Sequence, residues 1–507
     1  MSHHRKLLWN TVANTAGQLL GPVVAIILVP VYLSVLGRES YGLIGFFTAL
    51  NLLMQIFSQG IGQALQRTIA QRDVDEQGRR LLRRLVSTFE RAYGVMGLVI
   101  MVCLMAASGF VSRDWVRNEH MDSSTIQLCL VILSLRIGIA FPSGVYQSVF
   151  VGTQRQVIGN ATTVIVTLAG ALANVAITFL TRSVVWVIAC DAMFAALTMV
   201  LLRWQAFRVL PQRSASESGT FSRQDFLAVA RPSIWLICTS GLGVLITQMD
   251  RIILSRMVTL GELAVYNAGV AAGRVVSILY TPFLMASYPE ICQCATQGDR
   301  KALARLVARN ATVVSAMTAC CAFPMCFFAS DVLQVWTRDA TVVHEGSAIL
   351  VLYTLGSLAI SNASVFYMLQ MAIGAVRYAA AFNAVSILWY PLGMIGLIHV
   401  RGPEGAAWCW LVYCASAWIA VGGVAFLRHL DRGMIGAYLQ AAALPVLLGT
   451  CISAVMSKAA HMVFPLQAWP RLAFAATAAA AILPASVVAV LGPTDSMALF
   501  RRMVRRT

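Results

Sequence analysis

Fourteen apolar runs of about 20 residues each constrain this chain more than any other feature. A run of that length spans the roughly 30 Å hydrocarbon core of a bilayer as a helix. Inside lipid the backbone must satisfy its own hydrogen bonds, so each run is expected to be helical. The runs fall near 9–33, 42–64, 86–110, 124–149, 158–180, 184–202, 233–255, 264–289, 308–330, 346–372, 379–398, 405–427, 438–457 and 472–492. Their even number predicts that both termini share a side. Of the 507 residues 59% are apolar and only 12% charged, with a mean hydropathy of +0.74, well outside the range of soluble domains. The expected fold class is therefore an all-α polytopic membrane protein with about 14 transmembrane helices. The first run follows Arg5 and Lys6 and continues past residue 30 without a small-residue cleavage site, so it is expected to stay in place as a helix.

The net charge of +17 has a direction. With both termini in the cytoplasm, 26 of the 38 lysines and arginines fall in inside segments and nine in outside segments, the pattern of the positive-inside rule. Only Arg136, Arg251 and Arg274 remain within the runs. No basic domain with interleaved aromatics occurs, which argues against a nucleic-acid partner. Most of the 12 cysteines, such as Cys103, Cys129, Cys238 and Cys451, sit in apolar runs and read as reduced packing residues. Cys292 and Cys294, or Cys320 and Cys321, lack the spacing of a zinc site, so no metal is expected.

The chain also contains a second copy of its first half. Leu36-Gly37 with Tyr41 matches Leu260-Gly261 with Tyr266, Gln77-Gly78 matches Gln297-Gly298, and Gly152, Arg155 and Asn160 match Gly374, Arg377 and Asn383. Six helices separate the copies, so both have the same orientation, as in transporters built from parallel repeats. The expected organisation is an N-terminal six-helix lobe (1–210), a cytoplasmic linker (211–231), a C-terminal six-helix lobe (232–430), and two additional helices with a basic tail (431–507). The linker is marked by its serines, Pro211 and Gly219.

Polar residues recur at helical spacing on several runs. Asn10, Asn14 and Gln18 share a face of the first, and Asn51, Gln55, Gln59 and Gln63 form a row on the second. Asn160, Thr163, Thr167 and Asn174 line the fifth, and the tenth and eleventh carry Tyr353, Ser357, Ser361, Ser364, Asn383 and Tyr390. A single amide in a bundle reads as interhelical glue. Rows of three or four on several helices favour a wet cavity, because so many amides are hard to satisfy pairwise in a dry bundle. The last two runs carry little polarity and read as peripheral to transport.

Charge sharpens this picture. Arg136 and Arg274 each lie about 15–18 Å into their runs, near mid-membrane, at 1.5 Å rise per residue. An arginine there costs about 2.5–3.5 kcal/mol on the lenient insertion scale and needs a partner or a watery cavity. No acid is evident at their depth, so an anionic cargo is expected to supply the negative charge, and the guanidinium fork suits phosphate oxygens. Asp250, Arg251 and Asp191 lie nearer the outer side. They read equally as substrate contacts or as a structural network, with Asp191 pairing to Arg251. His120, His344, His399 and His461 read as solvated residues of outer loops or interfaces.

The segment Asn10 to Tyr41 with Pro30 and Leu36-Gly37, the Gly152 and Arg155 loop, and the segment Gln248 to Tyr266 together resemble the polysaccharide transporter branch of the MOP exporter superfamily. The resemblance extends over essentially the whole chain. It implies two MATE-like six-helix lobes plus two helices in a bacterial inner membrane. It also implies movement of an undecaprenyl-pyrophosphate-linked oligosaccharide to the outer leaflet by alternating access, through a cationic cavity carried here by Arg136, Arg251 and Arg274. Expected partners are that lipid-linked oligosaccharide, membrane lipids, and a polysaccharide polymerase with chain-length and export machinery. No cofactor is expected. No nucleotide-binding loop occurs, so transport is expected to draw on a proton or sodium gradient, with Asp250 or Asp191 as the coupling or gating carboxylate.

Two rivals predict different residues. A multidrug exporter of the same superfamily would place carboxylates rather than arginines at mid-membrane. A membrane enzyme acting on polyprenyl-linked sugars would need a sizeable outer loop or an acidic motif at the surface, whereas Ser112 to Ser123 and Asp331 to Gly346 are short.

Overall fold

The computed structural model describes residues 3–72, 76–210, 223–430, 433 and 435–504. The described elements are helices, with one isolated bridge between Arg117 and Thr259. Two compact units meet between Ala264 and Val265.

Unit 1 holds α1 (His3–Leu36), α2 (Arg38–Arg72), α3 (Glu76–Phe110), α4 (Ser123–Ala140), α5 (Ser143–Gly152), α6 (Gln156–Thr181), α7 (Val184–Val209), α8 (Arg223–Met257) and the start of α9 (Leu260–Gly273). Unit 2 continues with α10 (Val275–Thr296), α11 (Arg300–Phe327), α12 (Ala329–Thr337), α13 (Ala340–Ala372), α14 (Arg377–Arg401) and α15 (Pro403–Arg428). It ends in α16 (Ile435–Val463) and α17 (Ala468–Val504). The protein is a multi-pass membrane protein. Among the described residues eleven helical stretches are long and apolar enough to cross a bilayer, with Leu20–Leu36 a shorter one, against the 14 expected from the sequence. The expected runs at 42–64 and 233–255 lie within α2 and α8, whose side chains fall partly outside the described residues.

The duplication reappears as a repeated set of helix neighbours. In unit 1, α4 packs on α3 and α7, α6 packs on α7, and α5 packs on α2. In unit 2, α13 packs on α11, α15 and α10, and α14 packs on α15. The turn after the central helix is the same in both copies: Arg155 N donates to Phe150 O at 2.8 Å, and Ala375 N donates to Gln370 O at 2.7 Å. This αL helix ending places Gln154 (φ 57°) where the second copy has Gly374 (φ 71°), so Gly374 corresponds to Gln154 rather than to Gly152. Gly152 is small for another reason. A Cβ there would stand 2.6 Å from Cγ2 of Ile69 on α2.

Two expected continuous spans are interrupted. The fourth breaks at Phe141-Pro142 into α4 and α5, since a proline cannot donate to the helical ladder. The eighth breaks between Gly273 and Val275, and Arg274 sits at the break. In α6 and α14 large apolar residues such as Leu172, Leu180, Leu388 and Leu392 point outward, as lipid-facing helices require. The C-terminal pair, α16 and α17, packs on α11.

Candidate functional site

Each unit carries one of the two deep arginines, held in different ways. In unit 1, Arg136 of α4 forms an ion pair through Nε with Oδ2 of Asp191 on α7. This corrects two expectations. Arg136 does have an acid, and Asp191 pairs with Arg136 rather than with Arg251. The Arg136 side chain is 18% exposed and that of Asp191 50% exposed, so the carboxylate forms the open side of the pair. Tyr32 of α1, itself buried, lies close enough to Asp191 to sense its charge.

On α6, Thr163 of the polar row meets a neighbouring helix, as does the adjacent Thr162. Gln147 Nε2 donates to Thr163 Oγ1 at 3.0 Å, and Thr162 Oγ1 donates to Gln205 Oε1 at 2.8 Å. Asn160 is half-buried. Asn174 is buried, and its Oδ1 accepts no hydrogen bond among the described residues. On α2, Asn51 is half-buried. The side chains of Asn10, Asn14, Gln18, Gln55, Gln59 and Gln63 lie outside the described residues.

Asp250 and Arg251 are both buried on α8, which packs along α2 within unit 1. Arg251 Nη1 donates to Gln248 Oε1 at 2.9 Å, and the Arg251 amide donates to Asp250 Oδ1 at 2.8 Å. Beyond them the α8–α9 turn is fastened to the α3–α4 connection. Trp115 Nε1 donates to Ser255 Oγ at 3.0 Å and Leu260 N to Arg117 O at 3.0 Å. Glu39 accepts from the amides of Glu119 and His120 and contacts the ring of His120, whose side chain remains 85% exposed, as expected of a solvated histidine. Gly42 lies flush against this turn, since a Cβ there would come 2.0 Å from the Leu260 carbonyl oxygen.

In unit 2, Arg274 Nε donates to the Tyr353 hydroxyl at 3.2 Å. Tyr353 is stacked on Trp410 with ring centroids 5.0 Å apart and planes 8° from parallel. Gly356 permits this, because a Cβ there would lie 2.7 Å from the Trp410 ring. The aromatic series continues through Tyr413 to Tyr390, and Tyr413 donates to Asn383 Oδ1 at 3.1 Å. The serine row of α13 does not line a wet space. Ser357 and Ser361 are buried and donate to the carbonyls of Tyr353 and Leu358, while Ser315 of α11 donates to Asn362 at 2.8 Å. These hydroxyls form a dry α11–α13 seam, the usual use of such groups in membrane bundles.

The sequence reading missed a charged cluster at one end of unit 2. Asp331 of α12 pairs with Arg471 of α17 at 2.8 Å, and His461 of α16 stands 4.0 Å from it. The C-terminal pair is thus tied into unit 2 beside a cavity of about 490 Å³ that also reaches Glu404 and Trp408. Burial raises the Asp331 carboxyl above its ordinary value, against the opposing pull of Arg471 and His461.

Residues 7–295, more than half of the chain, match the model of the family described as "Polysaccharide biosynthesis protein". The chain belongs to that family. A Salmonella typhi protein described as "Putative O-antigen transporter" is 24% identical over 299 residues, a match that takes in 57% of this chain and 65% of that protein. Of solved structures, a lipid II flippase, MurJ, in an inward closed conformation resembles the fold with a TM-score of 0.73 at 13% identity, covering 95% of this chain and 98% of the other. An inward-facing multidrug resistance MATE transporter of the MOP superfamily resembles it with a TM-score of 0.62 at 13% identity, covering 85% and 95%. The expected helical architecture is therefore the fold that this family member shares with these two solved structures, and the matching Salmonella typhi protein is described as a transporter.

Proposed function

We propose that this chain is a flippase that moves a polyprenyl-pyrophosphate-linked oligosaccharide from the cytoplasmic to the outer leaflet of a bacterial inner membrane by alternating access. Both termini face the cytoplasm in this reading, and the cargo feeds a polymerase with chain-length and export machinery. The observation that carries it is a guanidinium deep in each unit of a polysaccharide-biosynthesis protein, Arg136 in unit 1 and Arg274 in unit 2. Pyrophosphate offers oxygens to both. Arg251, Asn14, Gln18, Asn51, Gln55, Gln59, Asn160 and Asn174 would meet the phosphates or sugar hydroxyls, while the polyprenyl tail stays in lipid. Asp250 or Asp191 would couple transport to a proton or sodium gradient.

The test is leaflet exchange of a labelled undecaprenyl-pyrophosphate sugar in proteoliposomes. Wild type should move it, and Arg136→Ala and Arg274→Ala should each slow exchange at least tenfold, the equivalent of about 1.4 kcal/mol. Full exchange by both variants at normal insertion would end the anion-site reading. The half-open Asp191 carboxylate gives a multidrug exporter some standing as a second reading. Transport of cationic dyes with no exchange of the lipid would decide for it.

A further inference from the structure

We propose that Asp191 is a built-in competitor for the cargo's phosphate at Arg136, so that the anion site of unit 1 is occupied by the protein's own carboxylate whenever cargo is absent. This rests on the flippase reading and concerns how the site releases what it binds.

The two residues lie in apolar spans, Ser123–Gly152 and Val184–Val209, with mean hydropathies of 2.0 and 2.2 in their most apolar windows. Either charge alone would be unfavourable there, so the ion pair accounts for the presence of both. It does not account for their unequal exposure. The Asp331–Arg471 pair of unit 2 is enclosed on both sides, with side chains 5% and 12% exposed. In unit 1 the arginine is enclosed at 18% and the acid is half open at 50%. The guanidinium is thus the more enclosed partner and the carboxylate the more open one.

An anion arriving from the carboxylate's side reaches Arg136 by taking the position of Asp191. Carboxylate and phosphate both offer oxygens to a guanidinium, so the exchange substitutes one oxyanion for another at Arg136. A half-open ion pair is a weaker competitor than an enclosed one. Its hold is weak enough for a pyrophosphate to displace and strong enough to hasten its departure. When cargo leaves, Asp191 returns to Arg136, and the empty site no longer attracts the anion it has just released. Asp191 therefore sets affinity and turnover in opposite directions.

The experiment uses the full chain in lipid nanodiscs with two probes, inorganic pyrophosphate and undecaprenyl pyrophosphate, and measures binding by calorimetry. Asp191→Asn keeps the side chain's shape and removes its charge, so it should bind both probes about fivefold more tightly. In proteoliposomes it should exchange the labelled lipid more slowly at saturating cargo, because release is delayed. Asp191→Glu should restore wild-type affinity. Arg136→Ala and the double variant Arg136→Ala/Asp191→Asn should bind weakly and equally. Asp191→Ser serves as a second neutral variant, and thermal melting identifies any variant that has lost its fold. Folded Asn and Ser variants that bind no more tightly than wild type would overturn the proposal while leaving the flippase reading standing. Failure of wild type to bind or exchange the lipid would remove both.

Discussion

Two ion pairs, Arg136–Asp191 in unit 1 and Arg471–Asp331 in unit 2, look alike as contacts and differ in every respect that bears on function. The first joins two long apolar spans, Ser123–Gly152 and Val184–Val209, and leaves half of its carboxylate open. The second ties the C-terminal helix α17 to the short helix α12 at one end of its unit, with both partners enclosed. A closed pair can only hold elements together. An open pair can exchange a partner, and the open partner here is the one a cargo phosphate would replace.

The largest expected effect breaks the closed pair. Asp331→Ala leaves the Arg471 cation enclosed without its carboxylate, and loss of one partner of a buried pair costs about 3–5 kcal/mol. A detergent-solubilised variant should melt well below wild type. Replacing both residues by leucine should recover most of the loss, because the penalty arises from the stranded charge. The matching change in unit 1, Asp191→Ala, should cost less, about 1 kcal/mol, because the carboxylate is only half enclosed. Equal losses at the two sites would erase the distinction between a structural and an exchangeable pair.

How far the sequence reveals these sites follows from the range of the signals. The apolar runs and the residue spacings of the duplication are local properties of the chain, so composition and spacing disclose them. Which acid meets which arginine is not such a property. Arg136 and Asp191 belong to different helices and are joined only when α4 packs on α7. For the same reason Asp331, His461 and Arg471 read as unrelated residues until α16 and α17 fold back onto the unit. The serine row of α13 has a cavity's spacing, but α11 brings the hydroxyls of Ser315 and Thr318 against Asn362 and Ser361 of α13, and the two faces close into a seam. The breaks at Pro142 and Gly273 were written in the sequence as residue types, yet an apolar run gives no sign of whether the bundle uses such a residue as a break.

Arg274 provides a third arrangement, a guanidinium hydrogen-bonded to a neutral phenol that is itself fixed by Trp410. Tyr353→Phe removes the hydroxyl and keeps the stack. It should cost about 1.5–3 kcal/mol as a hydrogen bond to a charged group is lost. In thermal melts the loss should exceed that of Asp191→Ala if the ring series is what fixes Arg274, and a change too small to measure would mean that the arginine is held by its other contacts.

The smallest effect concerns pH at the closed pair. Burial raises the Asp331 carboxyl above its ordinary value of 3.8 and outweighs the attraction of Arg471 and His461. A raised folded-state pKa means that the folded protein holds this proton more tightly than the unfolded chain. Its contribution to stability is therefore greatest below about pH 4 and declines as pH rises through the raised value. Melting temperatures measured from pH 4 upward should fall more in wild type than in Asp331→Asn, which has no proton to lose. The opposite slope would mean that Arg471 attracts the carboxylate more strongly than burial disfavours it, and the pair would then stabilise the α12–α17 contact through its charges rather than merely tolerate them.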